Sequence, residues 1–514
     1  MTLLAAVVRT SAAVAATPSR LAKIEALAQC LRSLSPDEIE IALPYLSGDI
    51  RQGRLSLGFG ILHEARKGPA SHPSLALVEV DAAFEELRSI KGKGAAQRRE
   101  ARLRELFSRA TADEQDFLVR LVIGELRQGA LEGVMLDAVA AAAQLPAPQV
   151  RRSAMLAGGI APVARAALTD GAAGLERFSI RVMQPVLPML AQPALTVRGA
   201  LAELGEAALE WKMDGARVQA HKSGGEVRVF TRSLRDVTAA VPEVVAAMQD
   251  ARGDSLILDG EAIALRADGR PHPFQVTMQR FGRKLDDEGV RAQLPLSVFF
   301  FDCLFNDRPL IDLPLRERRA ALAGALPPER LTPWLVTADA AAAETFYNDA
   351  LSQGHEGIMA KALDAPYEAG RRGSGWLKVK RAHTLDLVVI AAEWGHGRRK
   401  GWLSNLHLAA RDPQGGFVML GKTFKGMTDA MLEWQTRELE SRAVGRNEER
   451  DASVVRVRPE LVVEIEFSDI QASQQYPAGL ALRLARVKRY RQDKGPQDAD
   501  TIDTVRRIHE QSTA

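Results

Sequence analysis

Cysteine, long apolar runs and a strong net charge are all scarce in this chain of 514 residues. The two cysteines, Cys30 and Cys303, are too few and too far apart for a disulfide framework or a zinc site. No apolar run approaches the ~20 residues that a membrane span needs. The first residues imitate a signal peptide, but they lack a basic start and Arg9 ends their apolar run. We therefore expect a cytoplasmic protein that does not span a membrane.

The formal net charge is only +3, which permits a nucleic-acid partner without requiring one. A DNA-binding surface would have to come from local clusters of basic residues, with the acids gathered elsewhere. Such clusters occur near the N-terminus, and a solvated helix face is the ordinary explanation for each of them. Glycines between the first lysines also suggest a loop that could follow a phosphate backbone. The clustered residues are Lys91, Lys93, Arg98, Arg99, Arg102, Arg104, Arg151 and Arg152.

The length exceeds what a single core usually supports, so we expect about three domains. Residues 1–180 have helical spacing, residues 181–382 mix strands with helices after a proline-rich stretch, and residues 383–514 are mostly β. We predict an all-α domain, an α+β domain and a small OB-type barrel with a helix around 429–441. Ser35 and Pro36 predict a helix start, and the apolar segment 117–129 predicts a helix that ends at Gly129.

The stretch EWKMDGAR (210–217) places Lys212 between two acids and just before a glycine and an arginine. A nucleophilic lysine must lose a proton near neutral pH, although its ordinary pKa is about 10.4. Burial and nearby cations would lower that pKa. Gly215 would let the backbone approach a ligand, and Arg217 could hold a phosphate. Alone, the pattern also fits a strand end followed by a charged turn.

Further charged residues stand inside otherwise apolar strands. Glu261 ends one apolar run and Glu356 precedes another. A buried carboxylate is costly unless it binds a metal or a partner, and a structural salt bridge explains each acid equally well. Lys378 and Lys380 have strand spacing, so they share one face, where a polyanion would relieve their repulsion. Arg372 lies just upstream and could add one more donor.

A basic segment near the C-terminus surrounds the lone acid Asp493. A solvated tail is the common explanation, and a mobile domain that carries cations to a phosphate is the alternative. Its basic residues are Arg483, Arg486, Lys488, Arg489, Arg491 and Lys494.

Taken together, these pieces resemble the motif series of the covalent nucleotidyltransferases, and the chain is similar to ATP-dependent DNA ligases of the bacterial branch. In addition, GELRQGALEG (124–133) resembles part of the helical DNA-binding domain of the larger ligases. One departure is Leu484 and Ala485, where the family often has Phe-Pro. The matching motifs occur in the family's order: EWKMDGAR (210–217), TRS (231–233), LDGE (258–261), FFFD (299–302), EGIMAK (356–361), WLKVK (376–380) and RQDK (491–494).

The resemblance implies that Lys212 attacks the α-phosphate of ATP and becomes a lysyl-adenylate. AMP would then pass to the 5′-phosphate of a nick in duplex DNA, and the 3′-hydroxyl would displace it, in replication, repair or recombination. Glu210 would read the adenine amino group and Phe301 would stack on the adenine ring. The other implied ATP contacts are Arg217, Arg232, Glu261, Arg372, Lys378 and Lys380.

The resemblance further implies an ATP-grasp-like adenylation domain in which Glu261 and Glu356 hold Mg²⁺. The metal and the lysines would help to lower the pKa of Lys212. Arg491 and Lys494 would close over the β- and γ-phosphates. Residues 1–180 would bind nicked DNA through its phosphates, while the remainder self-adenylates alone. We expect a nucleoid-associated monomer; a sliding clamp and repair factors are further candidate partners that no motif specifies.

Two other functions fit part of the pattern. An mRNA-capping guanylyltransferase or an RNA ligase would share the lysine motif, but the helical N-terminal region and Glu210 argue against both. A non-catalytic nucleic-acid-binding protein could keep the fold and lose the chemistry. The occupied catalytic positions argue against that alternative.

Overall fold

The computed structural model describes three successive regions of the chain, each with its own apolar core. No helix among the described residues is long and apolar enough to cross a membrane. Cys30 and Cys303 are both buried and free. The described residues are 1–53, 55, 57–66, 68–92, 94–126, 128–129, 132–281, 293–368, 372–381, 383–395, 399–444 and 453–513.

The first region is a helical assembly around a core that includes Phe84, Phe107 and Phe117. Burying each such side chain contributes roughly 1.5–3 kcal/mol. The predicted start at Pro36 is correct, and Ser35 and Glu38 form a capping box there. The helices are α1 (Leu4–Ala16), α2 (Arg20–Arg32), α3 (Pro36–Ser47), α4 (Phe59–Ala65), α5 (Leu77–Ser89), α6 (Ala95–Ser108), α7 (Ala112–Val122), α8 (Glu132–Ala143), α9 (Ala147–Ala157) and α10 (Ile160–Leu175).

The prediction that one helix continues to Gly129 is wrong, because α7 ends at Val122. Gly124 adopts a left-handed φ of 74°, which ends the helix. The chain then folds back as a loop around the buried Gln128, whose amide donates to the carbonyl of Leu46. Lys23 donates to the Gln128 carbonyl at 2.6 Å. Polar anchoring of this loop therefore outweighs the helical propensity of its apolar residues.

The middle region contains two mixed α/β layers. A four-stranded antiparallel sheet has the order β4-β3-β5-β6, and a five-stranded sheet has the order β1-β9-β8-β2-β7. The apolar or alternating runs at 227–231, 256–263 and 296–302 form most of β4, β5 and β6. The elements are β1 (Leu190–Pro193), α11 (Val197–Leu204), β2 (Ala207–Lys212), β3 (Ala216–Ser223), β4 (Glu226–Thr231), α12 (Pro242–Gln249), β5 (Ser255–Ala264), α13 (Phe274–Gln279), β6 (Leu296–Asn306), α14 (Leu315–Ala325), β7 (Trp334–Thr337), α15 (Ala340–Ser352), β8 (Gly357–Ala362) and β9 (Arg372–Lys380).

An apolar cluster joins the helical region to both sheets. Met155 of α9 packs in it with Val186, Ile257 of β5, Tyr367 and Trp376 of β9. Since both sheets contribute to this single cluster, the edge where their charged residues meet is held in a fixed geometry.

The C-terminal region is a mostly antiparallel sheet with the strand path β12-β11-β10-β14-β17, and β13 pairs with β10. Strands β15 and β16 form a separate hairpin. The helix expected at 429–441 is α16. The elements are β10 (His383–Trp394), β11 (Leu403–Arg411), β12 (Phe417–Thr423), α16 (Asp429–Ser441), β13 (Val454–Arg456), β14 (Val462–Phe467), β15 (Asp469–Ala472), β16 (Leu480–Arg483), β17 (Arg486–Tyr490) and α17 (Ile502–Thr513).

The strand ladder of this region does not close into a barrel among the described residues, since β12 and β17 remain at its two ends. The basic segment near the C-terminus is also not a solvated tail. Arg483 ends strand β16, residues 486–490 form β17, and Ile502 and Val505 of the following α17 are buried in the regional core. The alternation of basic and apolar residues in β17 reflects its place as an edge strand.

Candidate active site

Three strand ends bring Lys212, Glu356 and Lys380 together. In the register of the five-stranded sheet, Gly357 lies opposite both Lys212 of β2 and Lys380 of β9. Glu356 directly precedes Gly357, and its backbone N–H donates to the Lys212 carbonyl at 3.0 Å. The Glu356 carboxylate lies 2.5 Å from Lys212 Nζ and 2.7 Å from Lys380 Nζ. One buried carboxylate is thus shared by two lysines.

Electrostatics decide the protonation of this cluster. Burial alone would lower the pKa of Lys212, but the carboxylates of Glu356 and Glu261 outweigh it and raise that pKa. The expected lowered pKa of Lys212 is therefore wrong for this arrangement. Burial and the neighbouring Lys212 charge lower the pKa of Lys380. Burial would raise the pKa of Glu356, but the two lysines hold it below its usual value.

Glu261 and Asp214 add carboxylates around the same lysine. Burial raises the pKa of Glu261 to about 7, although Lys212 and Arg217 partly offset the effect. Burial and the nearby Glu356 charge also raise the pKa of Asp214. Burial is therefore the main reason that both carboxylates hold a proton more readily than they would in water.

Gly215 permits a close approach between two segments of the protein. A Cβ at this position would lie 2.4 Å from the carbonyl oxygen of Ala262 in β5. The close approach that requires glycine is thus to a neighbouring strand, and it fixes the turn that follows Lys212.

Glu210 lies in β2 two residues before the nucleophile candidate, and it is almost wholly buried. Its carboxylate contacts Lys361 Nζ of β8 at 2.5 Å, with Arg319 at 3.8 Å. Lys361 Nζ also lies 4.7 Å from the ring centroid of Phe301 and 4.2 Å from that of Trp376. Burial raises the pKa of Glu210 and lowers that of Lys361. The sequence placed Lys361 inside a motif, but nothing in its spacing signalled this pairing.

Arg217 is fully engaged by protein groups. Its guanidinium donates to Asp259 at 3.0 and 2.6 Å, to the Met189 carbonyl at 2.7 Å and to the Tyr367 hydroxyl at 3.1 Å. It also lies 5.4 Å from the Phe301 ring centroid. Arg217 therefore supports the aromatic side of the site and joins the two sheets.

Three further predicted residues lie on the strands and turns of the middle region. Arg232 is exposed on the turn after β4, and Lys378 is half-buried two residues before Lys380 on the same strand. Arg372 begins β9, and its side chain lies outside the described part of the structure. Lys380 also has a protein partner that relieves its charge, since it contacts the Glu356 carboxylate.

One arginine of the C-terminal region makes two contacts with the middle region. Arg483 of β16 donates to the Asp214 carboxylate at 2.7 Å and lies 4.4 Å from the Phe274 ring centroid. This ion pair links the β15–β16 hairpin of the C-terminal region to the turn after Lys212. Leu484 follows in a left-handed conformation and is exposed, while Ala485 is buried, so the departure from Phe-Pro concerns one exposed and one packed position.

Arg491 and Lys494 do not reach the Lys212 cluster in this arrangement. Both contact the Asp386 carboxylate of β10, at 2.9 and 2.6 Å. Arg491 also contacts Asp493 at 2.7 Å.

The basic clusters of the helical region divide into two kinds. Arg102 contacts Glu86 and Arg104 contacts Glu100, each at 2.5 Å. Arg98 and Arg99 instead donate to backbone carbonyls at 2.8 Å, so no acid neutralises them in those hydrogen bonds. Lys93, Arg127, Ala130 and Leu131 lie outside the described residues.

A magnesium ion fits the donor chemistry of Glu261 and Glu356, because both supply hard carboxylate oxygens. No group of three or more metal-ligating side chains occurs among the described residues. Mg²⁺ typically takes one or two carboxylate ligands and completes its shell with phosphates and water, so Glu261 and Glu356 would be enough protein ligands for it.

Comparison with known proteins identifies the family. Models described as "ATP dependent DNA ligase domain", "ATP dependent DNA ligase C terminal region" and "DNA ligase N terminus" match residues 188–380, 399–494 and 59–140. A "Probable DNA ligase" of Anaeromyxobacter sp. (strain Fw109-5) is 61% identical, covering 99% of each chain. One of Mycobacterium marinum (strain ATCC BAA-535 / M) is 54% identical over 99% of this chain and 100% of that protein.

A solved structure named "Pmar-Lig_PreS3" covers 94% of this chain and 99% of its own, with 18% identity and a TM-score of 0.62, which shows a shared fold. The relatives match from end to end, so the likeness includes the helical, middle and C-terminal regions together. The chain belongs to the ATP-dependent DNA ligase family.

Proposed function

We propose that Lys212 is the residue that carries AMP in this ATP-dependent DNA ligase. The Lys212 amine attacks the α-phosphorus of ATP, a P–N bond forms, and pyrophosphate leaves. The 5′-phosphate at a nick then takes the AMP and frees the lysine, and the 3′-hydroxyl displaces AMP to form the phosphodiester bond. The main support is that Lys212 and Lys380 both contact Glu356, because this places a nucleophile, a carboxylate and a second cation together.

The amine must lose a proton before it attacks, and Glu356 is the group in contact with it. The carboxylates of Glu356 and Glu261 stabilise the protonated form of Lys212 and so raise its pKa. Mg²⁺ bound by Glu261 and Glu356 would compete for these carboxylates, lower the pKa of Lys212 and stabilise charge on the transferred phosphate. Lys380 remains next to the nucleophile as a cation for the α-phosphate.

The Glu210 and Lys361 pair fits the hydrogen-bonding edge of adenine. A carboxylate accepts from the adenine amino group, and an ammonium donates to the adjacent ring nitrogen. Guanine presents a carbonyl and an N–H at the same positions, which is the opposite pattern. Phe301 offers an aromatic face next to this pair, so we propose that it stacks on the base.

The other ATP contacts are proposed from their places around this centre. Arg217 acts mainly by holding the aromatic side of the site, and Glu261 faces the nucleophile. Arg491 and Lys494 contact the outer phosphates after the C-terminal region closes. The remaining proposed contacts to phosphate or nucleotide are Arg232, Arg372 and Lys378.

We propose three domains with boundaries at 1–180, 181–382 and 383–514, acting as a monomer on nicked duplex DNA. An OB-type arrangement of the last domain is supported by α16, which separates the third and fourth strands. It is also supported by the Val487 N–H of β17, which donates at 2.9 Å to the carbonyl of Lys425, two residues beyond the end of β12. The first domain binds DNA phosphates, and the other two suffice for self-adenylation.

Labelling tests the central proposal. Incubation with α-labelled ATP and Mg²⁺ should attach AMP through an acid-labile phosphoramide bond, and peptide mapping should place it on Lys212. Lys212→Ala should abolish labelling, whereas Lys400→Ala, at an exposed lysine of the C-terminal region, should leave it unchanged. Label that persists in Lys212→Ala, or that comes from GTP in preference to ATP, would refute the assignment.

A further inference from the structure

Asp386 in β10 is the common partner of the two cations proposed to close over ATP. Its side chain is only 11% exposed, and one oxygen accepts from both Arg491 at 2.9 Å and Lys494 at 2.6 Å. Two cations this close repel each other unless an anion lies between them. Asp386 supplies that anion from inside the sheet.

The backbone fixes both sides of this contact. The Asp386 N–H donates to the Asp500 carboxylate at 2.8 Å, and the Asp500 N–H donates back to the Asp386 carbonyl at 2.8 Å. The Arg491 N–H donates to the Val462 carbonyl of β14 at 2.9 Å. The cations and their carboxylate are thus anchored to the same sheet and move with it as one unit.

The guanidinium of Arg491 has two edges with different partners. Nη1 faces the buried Asp386, while Nε and Nη2 both donate to Asp493, at 2.9 and 2.7 Å. The Asp493 side chain is 64% exposed, so that pair is open to solvent. A phosphate can replace an exposed carboxylate at this bidentate edge while Asp386 keeps its hold on the other nitrogen.

The neighbouring acid provides a comparison within the same sheet. Glu464 of β14 is the register partner of Asp386, but it contacts Lys488 and Arg489 at 2.9 and 2.7 Å and lies 3.9 Å from Arg491. The two acids lie opposite each other on adjacent strands and are similarly buried, yet only Asp386 contacts both Arg491 and Lys494.

We infer that Asp386 is a positioning residue, which holds Arg491 and Lys494 side by side as a two-cation site for the outer phosphates of ATP. The inference rests on the proposed adenylation of Lys212 and names a residue that acts through the two cations. Asp386 should therefore matter where pyrophosphate is bound or released. It should not matter in the last step, where only AMP leaves.

The test compares Asp386→Asn with Glu464→Gln in the full chain. Self-adenylation with labelled ATP should show a KM for ATP raised about tenfold or more in Asp386→Asn, as expected when a charge-assisted contact loses its support. Pyrophosphate should also release AMP from the preformed adenylated enzyme more slowly. Sealing of a nick whose 5′-phosphate is already adenylated should stay within about twofold of wild type, and Glu464→Gln should leave all three rates nearly unchanged.

Three results would count against the inference or its basis. Equal loss of adenylation and of sealing at the pre-adenylated nick would make Asp386 a structural residue only. An unchanged KM for ATP together with unchanged pyrophosphate-driven release would show that the cations need no such support. A wild-type chain that takes no label from ATP would instead refute the proposed adenylation itself, so the two failures are distinguishable.

Discussion

Two places in this molecule share one design, a carboxylate held between two cations. Glu356 lies between Lys212 and Lys380, and Asp386 lies between Arg491 and Lys494. The exposed fractions of the two carboxylates are similar, at 13% and 11%. The difference lies in the cations, since a lysine can lose its proton in a protein and an arginine cannot.

The neighbours strengthen that difference. Around Glu356 the pKa of Lys212 is raised and that of Lys380 is lowered, so Lys380 gives up its proton more readily than Lys212 does. Beside Asp386, the contact with Asp493 raises the pKa of Arg491 further and keeps its charge permanent. The first group is suited to proton loss and covalent chemistry, and the second to binding an anion that must later leave.

The largest expected effect comes from removing the buried shared carboxylate. Glu356→Gln should lower the rate of self-adenylation by about 10²- to 10⁴-fold, the usual range for a group that assists proton transfer. The same change should lower the pKa of Lys212, because Glu356 helps to raise it, so an amine-acylating reagent should modify Lys212 faster at pH 8. Labelling kinetics and peptide mapping measure both effects.

Glu393→Gln is the matched control for that change, since Glu393 is also shared by two basic side chains, His407 and Lys422, on the C-terminal sheet. It should alter neither measurement. Normal adenylation by Glu356→Gln, or slower acylation of Lys212, would contradict the proposed role.

Glu261 should give a smaller effect, on stability. Its pKa is raised from 4.5 to about 7 in the folded protein, so an ionised Glu261 destabilises the fold. The contribution of Glu261 to the free energy of unfolding should fall as pH rises from about 4.5 to about 7, by about 3 kcal/mol once the group is fully ionised. Glu261→Gln should therefore melt at a higher temperature than wild type at pH 8, with little difference at pH 4.5.

The exposed Glu226→Gln serves as the control for Glu261, because its removal should change the melting temperature little at either pH. If Glu261→Gln is no more stable than wild type at pH 8, the buried charge is compensated by contacts other than Lys212 and Arg217. Thermal melting followed by fluorescence at the two pH values decides between these outcomes.

The smallest effect extends the comparison to the helical region, where some arginines contact acids and others contact backbone carbonyls. Arg98 and Arg99 donate to carbonyls, whereas Arg102 and Arg104 contact glutamates. Replacing both Arg98 and Arg99 by Ala should reduce the slope of log affinity for nicked DNA against log salt by up to about 2, at roughly 0.9 per phosphate contact.

Replacing Arg102 and Arg104 by Ala is the matched control, and it should leave the slope nearly unchanged. DNA binding measured by fluorescence anisotropy at several salt concentrations gives both slopes. Equal slopes for the two double variants would show that pairing with acids does not decide which cations meet DNA.

Much of the fold followed from the sequence because its strands carry clear apolar runs. The mixed region and the β-rich region were predicted as such, and so was the helix at 429–441; the strands around Val229, Ile257, Val298 and Val463 carry the apolar runs. The helix predicted to reach Gly129 ended early, since a left-handed glycine and the buried Gln128 determine that turn. Barrel closure depends on how strand ends meet, which local patterns do not encode.

The sequence alone determined the class of chemistry and the order of the motifs, because residue type decides what can act as a nucleophile, an acceptor or a permanent cation. The tertiary structure alone decided which partners these residues have. It set Lys361 against Glu210, gave Lys380 the carboxylate of Glu356, and reversed the expected direction of the Lys212 pKa. The physical reason is that a pKa depends on burial and on all charges within a few ångströms, and strands distant in sequence supply those charges.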